Sequence, residues 1–195
     1  MMRHRRHCQP RSLGLTIIEL MTVLVVLGVL VTLVAPTFRG MMQRQRVQGI
    51  QDQLLTDLQL ARSELAVRAS ASASSPVAVT FGGDGMVTCY TIHTAGTGAT
   101  CDCTRAVGQV CQPPDVLQEV RTVQLPRAGG ISMAASSPSG SSVAFSPPQG
   151  LATPAGLTIN ITGDISGQVR TTVGDLGRPD VCSPDGSIRG VPPCS

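Results

Sequence analysis

One stretch constrains everything else in this chain. From Leu15 to Phe38 the sequence runs LTIIELMTVLVVLGVLVTLVAPTF, and Glu19 is its only charged residue. About 20 apolar residues in a helix, rising 1.5 Å each, span the ~30 Å core of a bilayer. A helix buried in a soluble core keeps a polar face, which this segment lacks. Ahead of it lie Arg3, Arg5, Arg6 and Arg11 with no acid. A basic flank of this kind stays cytoplasmic, so the expectation is a single membrane span with the amino end inside and the bulk outside. Arg39, Arg44 and Arg46 follow the span and reduce the asymmetry. A cleaved secretory signal would carry an apolar region of about 7–15 residues and a small-x-small site. This run is longer, and its one candidate site, near Ala35, is followed by Pro36.

Glu19 is the anomaly. A carboxylate at the centre of a membrane helix costs about 2.5–3.5 kcal/mol by insertion scales, and less near an end. A charge kept at such a cost points to a role and a partner.

Ser12-Leu13-Gly14 followed by Leu15-Thr16-Ile17-Ile18-Glu19-Leu20-Met21 resembles the cleavage and methylation motif of type IV pilins and type II secretion pseudopilins. The resemblance implies that a prepilin peptidase cuts after Gly14 and methylates the new amino terminus of Leu15. Residues 1–14 would then be a leader peptide, and 15–38 a transmembrane helix in the inner membrane. Glu19 becomes the fifth mature residue, where the family has its Glu. Pro36 takes the position of a helix-kinking proline. The departure is Leu15, where the family usually has Phe. The role the family implies for Glu19 makes physical sense. A free amino terminus in lipid is also costly, so pairing it with the Glu of a neighbouring subunit compensates both charges on assembly. Heterologous contacts of this kind generate helical filaments.

After Pro36 the pattern becomes amphipathic. Val47, Ile50, Leu54, Leu58, Ala61 and Leu65 recur at spacings of 3, 4, 4, 3 and 4, which predicts a stem helix over 39–70. Gln, Arg and Asp are expected on its other face. The stretch Leu60-Ala61-Arg62-Ser63-Glu64-Leu65-Ala66-Val67-Arg68 also resembles the ARSEA segment of the GspH/FimT branch of pseudopilins and minor pilins. From Pro76 the period shortens. Strands are expected at 76–81, 86–93, 116–125, 131–135, 142–146, 157–162 and 168–173, with Gly82-Gly83-Asp84-Gly85 as a hairpin turn. The fold class is therefore α+β. The long N-terminal helix, membrane-spanning in its first half, packs on an antiparallel, sandwich-like head over 76–195, the arrangement of the pilin fold.

The chain has seven Cys, of which Cys8 lies in the leader. The other six, Cys89, Cys101, Cys103, Cys111, Cys182 and Cys194, form an even set. In an exported head an even set reads as a disulfide framework, with 15 possible connectivities. Cys182 and Cys194 stand alone in the tail and are expected to pair. Cys101 and Cys103 are too close in sequence to pair easily, so each should bond elsewhere. A zinc site over Cys89, Cys101, Cys103 and Cys111 is the other chemistry available. The C-x-C spacing fits it poorly, and the compartment is oxidising. No metal or cofactor is expected.

Gly177-Arg178-Pro179-Asp180-Val181-Cys182-Ser183-Pro184 resembles the GRxR…CSP…C tail of the GspH/FimT branch. In its DNA-uptake minor pilins the two Arg of GRxR are implicated in DNA binding. Here Gly177 and Arg178 match, and Asp180 replaces the second Arg; Arg170 and Arg189 are the other nearby candidates. An Asp beside a phosphate repels it. The family's mid-head Trp-Gly segment is missing, since the chain has no Trp.

No enzyme is expected. After the leader the only His is His93, and no G-x-S-x-G, P-loop, G-x-G-x-x-G or HExxH pattern occurs. The +3 formal charge also changes meaning. Without residues 1–14, eleven Arg stand against twelve Asp and Glu, a charge of −1. The basicity belongs to the leader and gives no support to nucleic-acid binding. The expected partners are prepilin peptidase, the inner membrane and other pilins or pseudopilins in a filament. DNA is the alternative partner.

Overall fold

The computed structural model describes residues 14, 16–71, 76–94, 96, 100–112, 117–137 and 140–195, with the side chains at 34–37 and 69–71 excepted. Leu15, the side chain of Pro36, and the leader (residues 1–14) other than Gly14 lie outside that set. The chain divides into two compact units, Met1–Arg39 and Gly40–Ser195.

A single helix, α1 (Ile17–Ala71), runs through 55 residues. In the first unit, the side chains of Ile17 to Leu33 are exposed on every face. The hydroxyls of Thr22 and Thr32 donate back to the Glu19 and Val29 carbonyls at 2.9 and 2.8 Å, so each is satisfied within the helix. A break divides α1 for this purpose, and among the described residues neither of its two segments is by itself long and apolar enough to cross a membrane. Ile17–Leu33 and Phe38–Arg68 meet that condition only when taken together.

Among the described residues, the second unit is built from the remainder of α1 and eleven strands. These are β1 (Val77–Gly83), β2 (Val87–Thr94), β3 (Thr100–Cys101), β4 (Cys111–Gln112), β5 (Glu119–Pro126), β6 (Ile131–Ser136), β7 (Ser142–Ser146), β8 (Leu151–Thr153), β9 (Leu157–Gly163), β10 (Gly167–Val173) and β11 (Pro179–Cys182). One sheet has the order β5-β2-β1-β7-β8, a second has β11-β10-β9-β6, and β3-β4 form a short ribbon. Among the described residues every pairing between these strands is antiparallel, and the one parallel bridge joins Ser183 to Pro193 in the tail. The chain is thus α+β, with a long N-terminal helix and antiparallel sheets.

One core joins the helix to both sheets. Val47, Leu54, Leu58, Ala61 and Leu65 are buried on the helix, with Ile50 partly buried. They meet Val77, Val79, Phe145, Ile159, Ile161 and Val173 from the strands. Alternation puts these strand residues inward; β9 reads buried, half-buried, buried along its whole length. The hairpin turn lies later than drawn from sequence, at Asp84–Met86, because Gly82 and Gly83 pair with Cys89 and Thr88 as the end of β1. Asp84 Oδ1 accepts from the Met86 and Val87 amides at 2.7 and 2.8 Å, and these backbone donors hold its carboxyl below the usual range.

The polar residues of the stem depart from expectation. Gln43, Gln51 and Asp57 are not on a solvated face; all three are buried. The sheets and their connecting turns cover more of the helix than its apolar stripe, so each of these side chains meets a polar group. Gln43 Nε2 donates to the Gly130 carbonyl at 2.7 Å, and its Oε1 accepts from the Ile165 amide at 2.9 Å. Gln51 Nε2 donates to Thr171 Oγ1 at 2.7 Å. Half-exposed Gln48 donates to the Arg189 carbonyl at 2.9 Å.

Three disulfides staple the loops: Cys89–Cys103, Cys101–Cys111 and Cys182–Cys194. Cys101 and Cys103 bond in opposite directions, to the β4 ribbon strand and to β2, and so fix the ribbon on the first sheet. The tail bridge spans a sequence separation of 12. By unfolded-state entropy a loop of that length contributes roughly 3 kcal/mol.

Candidate functional site

The residues marked out by sequence fall in three places. The first is the start of α1. Gly14 is exposed, and a Cβ built on it meets nothing within 4 Å. The fold therefore has no steric need for glycine there. Glu19 lies in the first turn of α1 and is exposed. Its amide donates to the Thr16 hydroxyl oxygen at 3.4 Å, but its carboxylate has no partner among the described residues. An acid in the first turn is favoured by the helix dipole, a local role that the sequence reading did not weigh.

The second place is the cysteine cluster. The His93 imidazole and the sulfurs of Cys101 and Cys111 lie within 4.8 Å of one another. The two sulfurs are bonded to each other, and a metal ligand would have to be a thiolate. His93 is also fully engaged. Its Nδ1 faces the Thr94 carbonyl at 2.9 Å, so Nδ1–H donates there, and Nε2 accepts from the Thr80 hydroxyl at 2.9 Å. That pattern belongs to the neutral ring, and burial pushes its pKa below the ordinary 6.5. A depressed histidine favours the fold above its unfolded pKa, and that stability is lost as pH falls through the folded value. Wild type should therefore lose more stability than His93→Gln as pH drops below 6.5. Parallel urea midpoints across that range would discard the assignment.

The third place is the tail. Arg178 is exposed and lines a groove with Leu55, Leu58 and Arg62 of α1. Arg170 does not share that surface. On β10 its neighbours Val169 and Thr171 are buried against the helix side, so strand alternation turns Arg170 to the other face, where its Nε donates to Asn160 Oδ1 at 3.0 Å. Arg189 lies at the level of Gln48. That is 14 residues from Arg62, about 21 Å along the axis. The three arginines grouped by sequence do not converge on one anion track.

Sequence reasoning missed a buried constellation centred on Asp57. The Tyr90 hydroxyl donates to Asp57 Oδ2 at 2.6 Å, and Arg121 Nε lies 3.2 Å from the same oxygen. Asp57 is 1% exposed and Tyr90 also 1%. Burial, then the bond to Asp57, raises the Tyr90 pKa far above its usual 10.0. The available signal was an Asp one residue before Leu58 of the apolar stripe, close enough to the core to require a partner. No family model, no curated protein and no solved structure matches this chain.

Proposed function

We propose that the chain is a minor pilin or pseudopilin, a structural subunit of a type IV pilus or a type II secretion pseudopilus. One observation carries the reading. From Ile17 to Leu33 the helix exposes apolar side chains on every face, and the one charge among them, Glu19, has no partner among the described residues. An apolar surface of this extent requires cover by lipid or by other subunits. The basic segment ahead of it and the Gly14 cleavage motif specify which cover: a membrane first, and then the packed helices of a filament. In this reading prepilin peptidase releases Leu15 as the mature terminus, and Glu19 pairs with the terminus of a neighbour.

The test is Gly14→Ala in the full chain, followed by immunoblot in cells that carry a prepilin peptidase. The variant should remain at precursor size, about fourteen residues larger than wild type by the motif's position. Because the added methyl meets nothing within 4 Å, misfolding does not supply an alternative cause. A mature band of normal size and amount would refute the prepilin reading.

A further inference from the structure

Three metal donors meet where the β3–β4 ribbon lies on the first sheet. The His93 imidazole on β2 and the sulfurs of Cys101 and Cys111 fall within 4.8 Å of one another. In the disulfide form the two sulfurs are spent on each other. The backbone keeps them together without that bond. Cys101 and Cys111 are direct cross-strand partners in the ribbon. The Asp102 amide donates to the Val110 carbonyl at 2.9 Å, and Cys103 is fastened to β2 through Cys89. Opening the ribbon bridge therefore leaves two thiols side by side and next to His93.

The two bridges of this cluster differ in access. Cys89 and Cys103 are 0% and 2% exposed, whereas Cys101 is half-buried. Thiol exchange needs an accessible sulfur, so Cys101 is the point of attack. One thiolate of a small dithiol bonds to Cys101 Sγ, the bond between the cysteines breaks, and Cys111 leaves as the thiolate. The second thiol of the reagent then displaces Cys101, and the reagent departs as a cyclic disulfide. Two electrons and two protons pass to the protein.

His93 is set as metal histidines are. A ligating imidazole commonly donates its other N–H to a backbone carbonyl, which fixes the ring and its tautomer. Here Nδ1–H donates to the Thr94 carbonyl at 2.9 Å, which leaves the lone pair on Nε2. The Thr80 hydroxyl, 2.9 Å away, occupies that lone pair, and a hydroxyl can rotate off it.

We propose that the reduced ribbon binds Cu(I) through Cys101 Sγ, Cys111 Sγ and His93 Nε2, and that the Cys101–Cys111 disulfide closes the site. The donor set selects the ion. Thiolates favour soft cations, and Zn(II) asks for a fourth ligand. Among the described residues no fourth His, Cys, Asp or Glu joins the group. His93 and Cys111 are both buried, which disfavours a water in the fourth place. Binding displaces the two thiol protons. The inference rests on this cluster alone and does not depend on filament assembly.

The experiment titrates Cu(I) without oxygen into the full chain in detergent, against a coloured Cu(I) chelator. All proteins carry Cys8→Ser, and each is compared before and after treatment with dithiothreitol. The reduced chain should take an equivalent of Cu(I) that the oxidised chain does not. Cys101→Ser/Cys111→Ser should lose that equivalent, and Cys182→Ser/Cys194→Ser should keep it. His93→Gln should weaken it roughly tenfold or more, the loss usual for disturbing a metal's ligand shell. Thr80→Val, which removes the competing hydroxyl, should bind at least as tightly as the reference. X-ray absorption of the loaded chain should show nitrogen beside sulfur. Thermal unfolding of each reduced, metal-free variant checks the fold. Equal uptake by the oxidised chain, retention by Cys101→Ser/Cys111→Ser, weaker binding by Thr80→Val, or a sulfur-only copper site would overturn the proposal.

Discussion

Arg121→Met is expected to destabilise the protein by about 3–5 kcal/mol, although the Arg121 side chain is 44% exposed. An ordinary surface pair contributes at most about 1 kcal/mol, because water replaces each lost partner. Here the two ends differ. The Asp57 carboxylate is sealed, and its Oδ1 has no hydrogen-bond partner, so Oδ2 carries its whole compensation through Tyr90 and Arg121. Removing the arginine leaves a buried negative charge with one hydroxyl. Removing the carboxylate is milder. Asp57→Leu frees Arg121 to water and strands only the neutral Tyr90 hydroxyl, for about 1–3 kcal/mol. Adding Tyr90→Phe to Asp57→Leu should recover part of that loss. Urea unfolding of the four proteins gives the ranking. An Arg121→Met cost below that of Asp57→Leu would show that the guanidinium does not compensate the buried charge.

Gly177→Val is expected to cost about 2–5 kcal/mol. Gly177 has φ +68°, and its Cβ would fall 2.7 Å from the Gly150 carbonyl oxygen and 3.1 Å from Phe145 Cε1. The left-handed conformation alone costs an L-residue about 1–2 kcal/mol, and overpacking adds about 1–3. Neither obstacle can swing aside, since one is backbone and the other a fully buried ring. Arg178→Ala, one residue on, should leave stability within about 0.5 kcal/mol, because its side chain is exposed. The pair separates the two halves of the Gly-Arg motif: the glycine is required by packing, and the arginine is available for binding. Equal melting temperatures for Gly177→Val and wild type would remove the packing argument.

The elements that were legible in the sequence are those with a sustained period. The helical stripe from Val47 to Leu65 and seven strands rest on runs of four or more residues, and the structure places strands at those positions. The four strands not anticipated are β3, β4, β8 and β11, of two to four residues each. They are too short to show alternation, and they exist because neighbours supply their hydrogen bonds. β8, for example, is held by β7 on one side, while its Ala152 amide donates to the Asp175 carbonyl at 2.9 Å. The buried polar side chains were hidden for a different reason. A helical wheel separates apolar from polar, but it does not say how far the surrounding sheets wrap. Gln43, Gln51 and Asp57 read as solvated because their partners come from segments 33 to 122 residues away. The cysteine ribbon was partly legible. Sequence spacing separated Cys101 from Cys103, but only the pairing of β3 with β4 brings Cys101 opposite Cys111.

The row of side-chain bonds from Gln43 to Asp57 has a mechanical consequence. The four positions cover 14 residue steps of α1, about 21 Å, and they tie it to the turn at Gly130, the tail at Arg189, β10 and β2. A pull along the helix axis loads all of these attachments at once, in shear, rather than peeling them one after another. The head is fastened to its stem like a cleat with several pins. An axial load on the stem within this unit would be shared between both sheets.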